Sequence, residues 1–368
     1  MMKAIIIDLI HPSMRKEDSM ERLEELEQLV NTYGGIVVVK KYQKRLSPHG
    51  KTFIGPGKVE EIAQEGKELG VSLLIVNDIL KPRQTYLLGE TLRPVKIDVW
   101  DRIDLILKIF AKHARTTEAR LEIELASIRH MGPRIFGMGM ELSRQGGGIG
   151  TVGIGEKNTE IMKRHLRGQE MKVKERIEKY KQVRKVHKES RQRRGLKTVS
   201  LIGYTNAGKT SLLNTLTGRK EYADDKLFAT LDTRVGELFL PERRQKVLLS
   251  DTIGFIKHLP PELIHAFEST LSEAMDADLL LHVIDISDPK WEEKITVVED
   301  ILEKLGVKNK PTMHVYNKID AISSFSREQI KERFAVFHPV FVSAHTKDGF
   351  PSLTQEIENV LFPLHEKK

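Results

Sequence analysis

Residues 203–210 read Gly203-Tyr204-Thr205-Asn206-Ala207-Gly208-Lys209-Thr210, and this stretch decides the fold of the second half of the chain. It matches the pattern G-x-x-x-x-G-K-S/T, directly after the apolar run 198–202 and before a helical pattern that Ser211 continues. In that setting, glycines let successive backbone N–H groups converge on phosphates at the positive end of a helix. We therefore expect residues 203–211 to bind a nucleotide, with Lys209 at the β- and γ-phosphates and Thr210 on Mg²⁺.

A second segment, Asp251-Thr252-Ile253-Gly254, follows the apolar run 247–249. Its position predicts a carboxylate at a strand end facing the phosphate loop, where Asp251 would hold Mg²⁺ through a water. The N–H of Gly254 would then contact the γ-phosphate.

A third segment, Asn317-Lys318-Ile319-Asp320, also follows an apolar strand. The Asp320 carboxylate can accept hydrogen bonds from N1–H and from the exocyclic amine of guanine, and adenine lacks both donors at those positions. The pattern therefore predicts GTP over ATP. Asn317 would tie this segment to the phosphate loop, the Lys318 stem would cover the base, and the N–H groups of Ser343 and Ala344 would reach guanine O6.

The loop between these motifs should complete the Mg²⁺ shell. Phe228, Ala229 and Thr230 lie between the phosphate loop and Asp251, and we expect Thr230 to be the third metal ligand, with Thr233 as the open alternative. Such a threonine reports the γ-phosphate in switch GTPases. The residues expected to act in hydrolysis are thus Lys209, Thr230 and Gly254.

Two positions bear on the rate of hydrolysis. Phe255 stands where many such enzymes have a glutamine that orients the attacking water, so we expect slow intrinsic hydrolysis. Asn206 suggests a K⁺ ion near the phosphates, as in some GTPases, and a loop residue making only backbone hydrogen bonds is an equally open interpretation.

Composition excludes several classes of protein. The 368 residues contain no cysteine, which excludes disulfide frameworks, thiolate zinc sites and cysteine nucleophiles, and fits a reducing compartment. The apolar runs fall short of the roughly 18 residues that a bilayer span requires. We expect a cytoplasmic monomer without a membrane span.

The patterns predict three segments with an α/β fold. Residues 1–100 alternate apolar runs with helical patterns and predict a small parallel α/β subdomain. Residues 101–195 predict a long two-helix hairpin, and residues 196–368 predict a doubly wound, mostly parallel GTPase sheet. The expected strands are 3–10, 35–39, 71–76, 95–99, 198–202, 235–240, 245–250, 279–285, 312–317 and 340–343.

The hairpin has two notable features. Its expected helices, 101–130 and 157–194, are separated by residues 137–155, which hold eight of the 26 glycines and predict a loop at the tip. Residues 163–197 carry 15 lysines and arginines against four glutamates, on a chain whose net charge is only +8. This density favours RNA as a ligand over an ordinary solvated helix face. The candidate RNA contacts are Arg144, Gln145, Lys185, Arg191, Arg193 and Arg194.

Several stretches together resemble the HflX family of ribosome-associated GTPases. In the second half these are Leu227-Phe228-Ala229-Thr230-Leu231-Asp232, the segment 251–260 and Leu281-His282-Val283-Ile284-Asp285. In the first half they are residues 54–62, residues 101–107 and the glycine-rich loop.

This resemblance implies binding to the large ribosomal subunit and its RNA, with GTP-dependent splitting or rescue of stalled ribosomes under stress. It also implies that some members use ATP, and that the glycine-tipped hairpin reaches the peptidyl transferase region. Two other interpretations stay open: a ribosome-assembly or RNA-binding GTPase in which hydrolysis only times release, and a regulator of protein partners through the hairpin.

Overall fold

The structure is a computed structural model that describes residues 2–145, 152–218, 227–228, 234–257, 263, 268–307, 309–323 and 326–363. The chain divides into two compact units. Unit 1 comprises Met1–His113 and Arg120–Glu178, and unit 2 comprises Ala114–Ala119 and Lys179–Lys368. Our division into three segments stays a prediction, and each unit is described below by itself.

Unit 1 opens with a four-stranded parallel sheet, as the sequence predicts, and the structure gives the strand order β2-β1-β3-β4. Its elements are β1 (Met2–Ile10), α1 (Lys16–Tyr33), β2 (Gly35–Lys44), α2 (Pro56–Leu69), β3 (Leu73–Val76), α3 (Pro82–Leu92), β4 (Asp98–Asp101) and α4 (Arg102–His113).

The helices of unit 1 cover the sheet on both faces. α1 packs against α4 and α2 packs against α3, and Ile5 and Ile7 of β1 share one core with Val59 and Ile62 of α2. Helix α1 ends at Gly34, which adopts φ 100° and whose N–H donates to the carbonyls of Val30 and Asn31. Such a left-handed backbone favours glycine.

The expected strand 95–99 is wrong at its start. Residues Arg93–Val95 form a turn of 3₁₀ helix with Pro94 near its beginning, and Lys96 follows at φ 59°. A left-handed residue cannot continue an extended strand, so β4 begins only at Asp98.

The hairpin also differs from the expected boundaries. The predicted helix 101–130 is broken between α4 and α5 (Thr117–Gln145), where the Thr116 hydroxyl accepts a hydrogen bond from the N–H of Ala119 and caps the new helix. Helix α6 spans Val152–Arg193, so the two helices extend into the glycine-rich stretch from both sides. The predicted loop 137–155 is therefore too long, and residues 146–151 lie outside the described residues.

The two helices run antiparallel, as expected. Leu121 and Leu125 of α5 form one buried cluster with Val173 and Ile177 of α6. In the part of the chain that the structure describes, no helix is long and apolar enough to cross a membrane.

A buried ion-pair cluster joins α4 to α5 within unit 1. The Asp101 carboxylate is fully buried and pairs with Arg134, which also binds Asp104 at 2.6 Å. His130 Nε2 lies 3.2 Å from Asp101 Oδ1 and 3.4 Å from Asp104 Oδ1. Although burial disfavours the charged ring, hydrogen bonds to the two carboxylates raise the pKa of His130 to about 9.

Asp101, Asp104 and His130 are close enough to one another to bind a metal ion. However, the Arg134 guanidinium and the protonated His130 ring already supply the positive charge that a metal would bring. We therefore interpret the group as an ion-pair cluster.

Unit 2 contains a six-stranded sheet in the order β10-β9-β8-β5-β7-β6, parallel except for the edge strand β6. This confirms the doubly wound, mostly parallel P-loop fold. Its elements are β5 (Thr198–Gly203), α7 (Lys209–Thr217), β6 (Arg234–Leu240), β7 (Gln245–Asp251), α8 (Glu268–Asp276), β8 (Leu279–Asp285), α9 (Trp291–Lys304), β9 (Thr312–Asn317), α10 (Arg327–Arg333), β10 (Val340–Phe341) and α11 (Phe350–Leu361).

Two apolar cores lie on the sheet of unit 2. One joins Leu201 of β5 to Leu213 of α7 and Ile357 of α11. The other joins Tyr316 of β9 to Ile330 of α10, and it includes residues of β8, α9 and β10. The sheet is thus covered on both faces, and the ends of its parallel strands are left for the site.

We predict that Arg134→Ala destabilises unit 1 by about 3–5 kcal/mol, because it removes the guanidinium from the buried Asp101 carboxylate and leaves only the His130 ring to balance that charge. Guanidinium unfolding followed by the fluorescence of Trp100, in a Trp291→Phe background, measures the change. The matched control is Arg129→Ala, whose side chain is 43% exposed beside Glu170; it should cost less than about 1 kcal/mol. Equal effects of the two substitutions would contradict the buried cluster.

Candidate nucleotide-binding site

The carboxyl ends of neighbouring strands bring the three predicted motifs to one edge of the sheet in unit 2. The phosphate loop follows β5, Asp251 ends β7, and Asn317 ends β9. In open parallel sheets this edge is where ligands bind. The structure therefore groups residues that lie more than 100 positions apart in the chain.

Close packing explains both glycines of the phosphate loop. Gly203 has φ 147°, and a Cβ there would lie 2.3 Å from the carbonyl oxygen of Val283. Gly208 has φ 91°, and a Cβ there would lie 2.2 Å from Asn317 Nδ2. The loop thus leads directly into α7. The N–H groups of the first turn of a helix have no acceptor within that helix, so they can bind an anion.

Lys209 is buried beneath this loop. Its ammonium group donates to the carbonyl oxygens of Gly203 at 3.1 Å and Tyr204 at 2.8 Å. Burial lowers the pKa of Lys209 to about 8, and the Asp251 carboxylate opposes part of that shift. The expected contact of Lys209 with the β- and γ-phosphates stays a prediction.

Thr210 and Asp251 form the part of the site that fits Mg²⁺. The Thr210 hydroxyl donates to Asp251 Oδ2 at 2.7 Å. Asp251 is fully buried, and its Oδ1 has no hydrogen-bond partner among the described residues. Burial raises the pKa of Asp251, although Lys209 and Thr210 act in the opposite direction. Mg²⁺ prefers hydroxyl, carboxylate and water oxygens, so these two residues would hold it.

The segment after Asp251 lies against the phosphate loop. The N–H of Thr205 donates to the carbonyl of Phe255 at 2.8 Å, and the N–H of Phe255 donates to the carbonyl of Gly203 at 3.1 Å. A Cβ at Gly254 would lie 2.7 Å from Thr205 Cγ2, so only glycine fits there. Phe255 is fully buried, and its side chain cannot orient a water.

Sequence reasoning missed a second contact that holds this segment. The Tyr204 hydroxyl accepts a hydrogen bond from the N–H of Lys257 at 2.8 Å. Tyr204 occupies a variable position of the motif, so the motif itself gives no signal for this role. It ties the stretch after Gly254 to the phosphate loop.

Asn317 connects the base-recognition segments to the phosphate loop. Its Nδ2 donates to the carbonyl of Ala207 at 2.9 Å, and its Oδ1 accepts from the N–H of Ala344 at 3.0 Å. The N–H of Ser343 donates to the carbonyl of Asp348. The N–H groups of Ser343 and Ala344, which we expected at guanine O6, thus already donate to acceptors within the protein. Their contact with O6 stays a prediction, and it would require each N–H to share its hydrogen bond between two acceptors.

The other base-recognition residues are placed beside Asn317. Lys318 adopts φ 66° and its ammonium group pairs with Asp285 at 2.7 Å, which fixes the course of its stem. Asp320 follows in a 3₁₀ turn with its side chain 30% exposed, 3.8 Å from the His345 ring. The carboxylate is therefore accessible to a ligand.

Several predicted residues are not placed by the structure. Ala229, Thr230 and Thr233 lie outside the described residues, whereas Phe228 is described and buried. The backbones of Arg144 and Gln145 belong to α5, and their side chains are not described. Their roles stay predictions.

Two buried histidines under the site were also missed. His282 of β8 and His314 of β9 lie opposite each other with ring centroids 5.1 Å apart. Burial lowers the pKa of His282 well below its usual value and that of His314 to about 4. Both rings are therefore neutral at pH 7, and they lie within the sheet as uncharged buried groups.

Four features together define a P-loop GTPase. They are the doubly wound sheet, the glycine loop before α7, the carboxylate of Asp251 and the Asn317–Asp320 segment. Family models match along the chain: "GTP-binding GTPase N-terminal" over residues 20–111, "GTP-binding GTPase Middle Region" over 113–191 and "50S ribosome-binding GTPase" over 198–318.

Full-length relatives define the family. The chain is 41% identical to a GTPase HflX of Caldanaerobacter subterraneus subsp. tengcongensis, over 98% of this chain and 81% of that protein. It is 39% identical to the GTPase HflX of Escherichia coli (strain K12), over 95% and 81%. A GTP-binding protein of Sulfolobus solfataricus, solved with GDP, is similar at a TM-score of 0.52 and 27% identity, covering 98% of this chain and 99% of that one.

The chain belongs to the HflX family of GTPases. Membership implies GTP hydrolysis, and the P-loop fold implies Mg²⁺ bound with the nucleotide.

We predict that Asp320→Asn weakens GTP binding about 100-fold or more, because the uncharged amide can accept only one of the two guanine hydrogen bonds and its NH2 group opposes the exocyclic amine. Xanthosine triphosphate carries an oxygen in place of the exocyclic amine, so the asparagine amide should bind it better than the carboxylate does. Titration with fluorescent analogues of both nucleotides measures the two affinities.

The matched control is Asp300→Asn, an exposed carboxylate on α9, which should leave both affinities unchanged. Unaltered GTP affinity in Asp320→Asn would exclude this carboxylate from base recognition.

Proposed function

We propose that the GTP-bound chain binds the large ribosomal subunit, splits or rescues stalled ribosomes in the cytoplasm, and leaves after hydrolysis. We propose further that it acts as a monomer, that its intrinsic hydrolysis is slow and that ribosomes stimulate it. The family description of its GTPase segment as ribosome-binding supports the partner, and the names of its relatives support the enzyme class.

The observation that carries this proposal is the charged surface of α6. Ten lysines and arginines between residues 163 and 194 are exposed. Nine of them lie on α6, among them Lys185 and Arg193, and the tenth, Arg194, directly follows the helix. Arg191 is less accessible, with 27% of its side chain exposed, and its guanidinium lies 3.9 Å from Glu273. The positive charges of such a stripe attract the phosphate groups of a nucleic acid. Binding then releases counterions from the nucleic acid, and this release favours the complex. An RNA partner therefore fits this helix better than a neutral protein surface does.

Slow intrinsic hydrolysis follows from two features. Phe255 is buried and offers no polar group to a water, and the segment after it is tied to the phosphate loop by Tyr204 and Thr205. A partner that moves this segment would place the Gly254 N–H at the γ-phosphate. We also propose ATP as a second substrate, because the resemblance to the family implies that some members use it.

The test uses GTPase rates and sucrose-gradient profiles with and without ribosomes. In the triple variant Lys185→Ala, Arg193→Ala and Arg194→Ala we expect weaker cosedimentation and a salt slope reduced by about 2–3 in the log–log plot. Its control removes three exposed lysines elsewhere, Lys67→Ala, Lys304→Ala and Lys331→Ala, and should behave like the unaltered protein.

The outcomes separate the proposals. If the unaltered protein shows neither stimulation nor cosedimentation at low salt, the ribosome role is wrong and the GTPase stands. Binding to free large subunits without dissociation of whole ribosomes would favour the assembly factor instead.

For the phosphate loop we propose K⁺ as a second cation, held through Asn206. This residue is exposed at the turn of the loop with φ 61°. We predict that ribosome-stimulated hydrolysis is faster in K⁺ than in Na⁺, and that Asn206→Ala removes the difference. Equal rates of the unaltered protein in the two salts would contradict this role of Asn206.

A further inference from the structure

A cavity of about 550 Å³ lies in unit 2 between α7, β6 and α11. Its walls are largely apolar, and they include Leu216, Leu238, Phe239, Pro241 and Phe350. Phe239 is 54% exposed although it lies on a strand beside the core. The cavity is separate in sequence from every residue assigned above to the nucleotide.

Glu358 of α11 also lines this cavity. The residue is only 2% exposed, and neither carboxylate oxygen has a hydrogen-bond partner among the described residues. The Arg243 guanidinium, in the turn between β6 and β7, donates to the carbonyl of Phe362 directly after α11. A buried carboxylate without a partner costs several kcal/mol, and a cation that enters the cavity would offset this cost.

The form of the cation follows from the two oxygens. Because Oε1 and Oε2 both lack partners in the described part of the chain, a planar guanidinium can satisfy them with two parallel hydrogen bonds, whereas an ammonium group offers a single point of charge. The aromatic walls suit the stem and the flat face of the same group. Glu242, also in the lining, adds a second negative charge.

We propose that this cavity is a docking site for a protein partner that inserts an arginine flanked by apolar side chains. The exposed Phe239 would pack against the flanking residues. The occupant would contact the hairpin of β6 and β7, in which Arg234 lies opposite Asp251. The site is therefore distinct from the nucleotide and adjacent to the strand that carries its Mg²⁺ ligand.

The test uses the full chain with GDP and a blocked tripeptide, acetyl-Leu-Arg-Phe-amide, followed by NMR titration or calorimetry. A second tripeptide carries citrulline, which has the shape of arginine without its charge. We expect the citrulline peptide to bind about 10-fold or more weakly, which is the contribution of a charged hydrogen-bonded pair. Equal binding of the two peptides would overturn the proposal.

Two variants test whether Glu358 is the group that causes the preference for arginine. Glu358→Gln should abolish the preference for arginine, and it should fold, because it removes an uncompensated buried charge. Glu356→Gln changes a neighbouring carboxylate on α11 that pairs with His338 and should keep the preference. Unchanged GDP affinity in both variants controls for the fold. A preference that survives Glu358→Gln would overturn the assignment.

A third ligand tests whether the cavity binds a protein segment or only a small cation. Agmatine carries the guanidinium group on an alkyl stem that ends in an ammonium group, and it has no flanking apolar residues. We expect it to bind at least about 10-fold more weakly than the arginine peptide, since it lacks their buried area. Agmatine binding as tight as that of the peptide would overturn the protein partner.

Discussion

The side-chain amide of Asn317 joins the phosphate loop to the segments that flank the base. Nδ2 donates to Ala207 in the loop, and Oδ1 accepts from Ala344 after β10. The contact leaves no space for a side chain at Gly208. Because the amide is buried, losing either hydrogen bond would leave a polar group unpaired, which is costly. The relative positions of the three segments therefore depend on this one group.

The phosphate end of the site contains two charged groups whose burial is unfavourable. Lys209 and Asp251 are both buried, and burial shifts the pKa of each towards its neutral form. Their charges are balanced by backbone carbonyls, by Thr210 and by each other. A nucleotide with Mg²⁺ would bring a counter-charge to each. Binding would thus relieve the desolvation that folding imposes.

Positive charge is concentrated rather than spread over the chain. The excess on residues 163–197 is larger than the net charge of +8, so the rest of the chain is slightly acidic. Within unit 1, by contrast, the charges of Arg134 and His130 are neutralised by buried carboxylates. A single composition value hides this difference between a solvated charged helix and a buried cluster.

Local patterns determined the strands, the order of the motifs and the basic helix, because apolar periodicity and glycine placement act over a few residues. They failed at Val95 and at Thr116, where a 3₁₀ turn and a helix cap override periodicity. Only the tertiary structure decided that Arg134 neutralises Asp101 and that Glu358 is buried without a hydrogen-bond partner among the residues that the structure describes. Those outcomes depend on which distant side chains meet after folding, and burial then sets the cost of each charge.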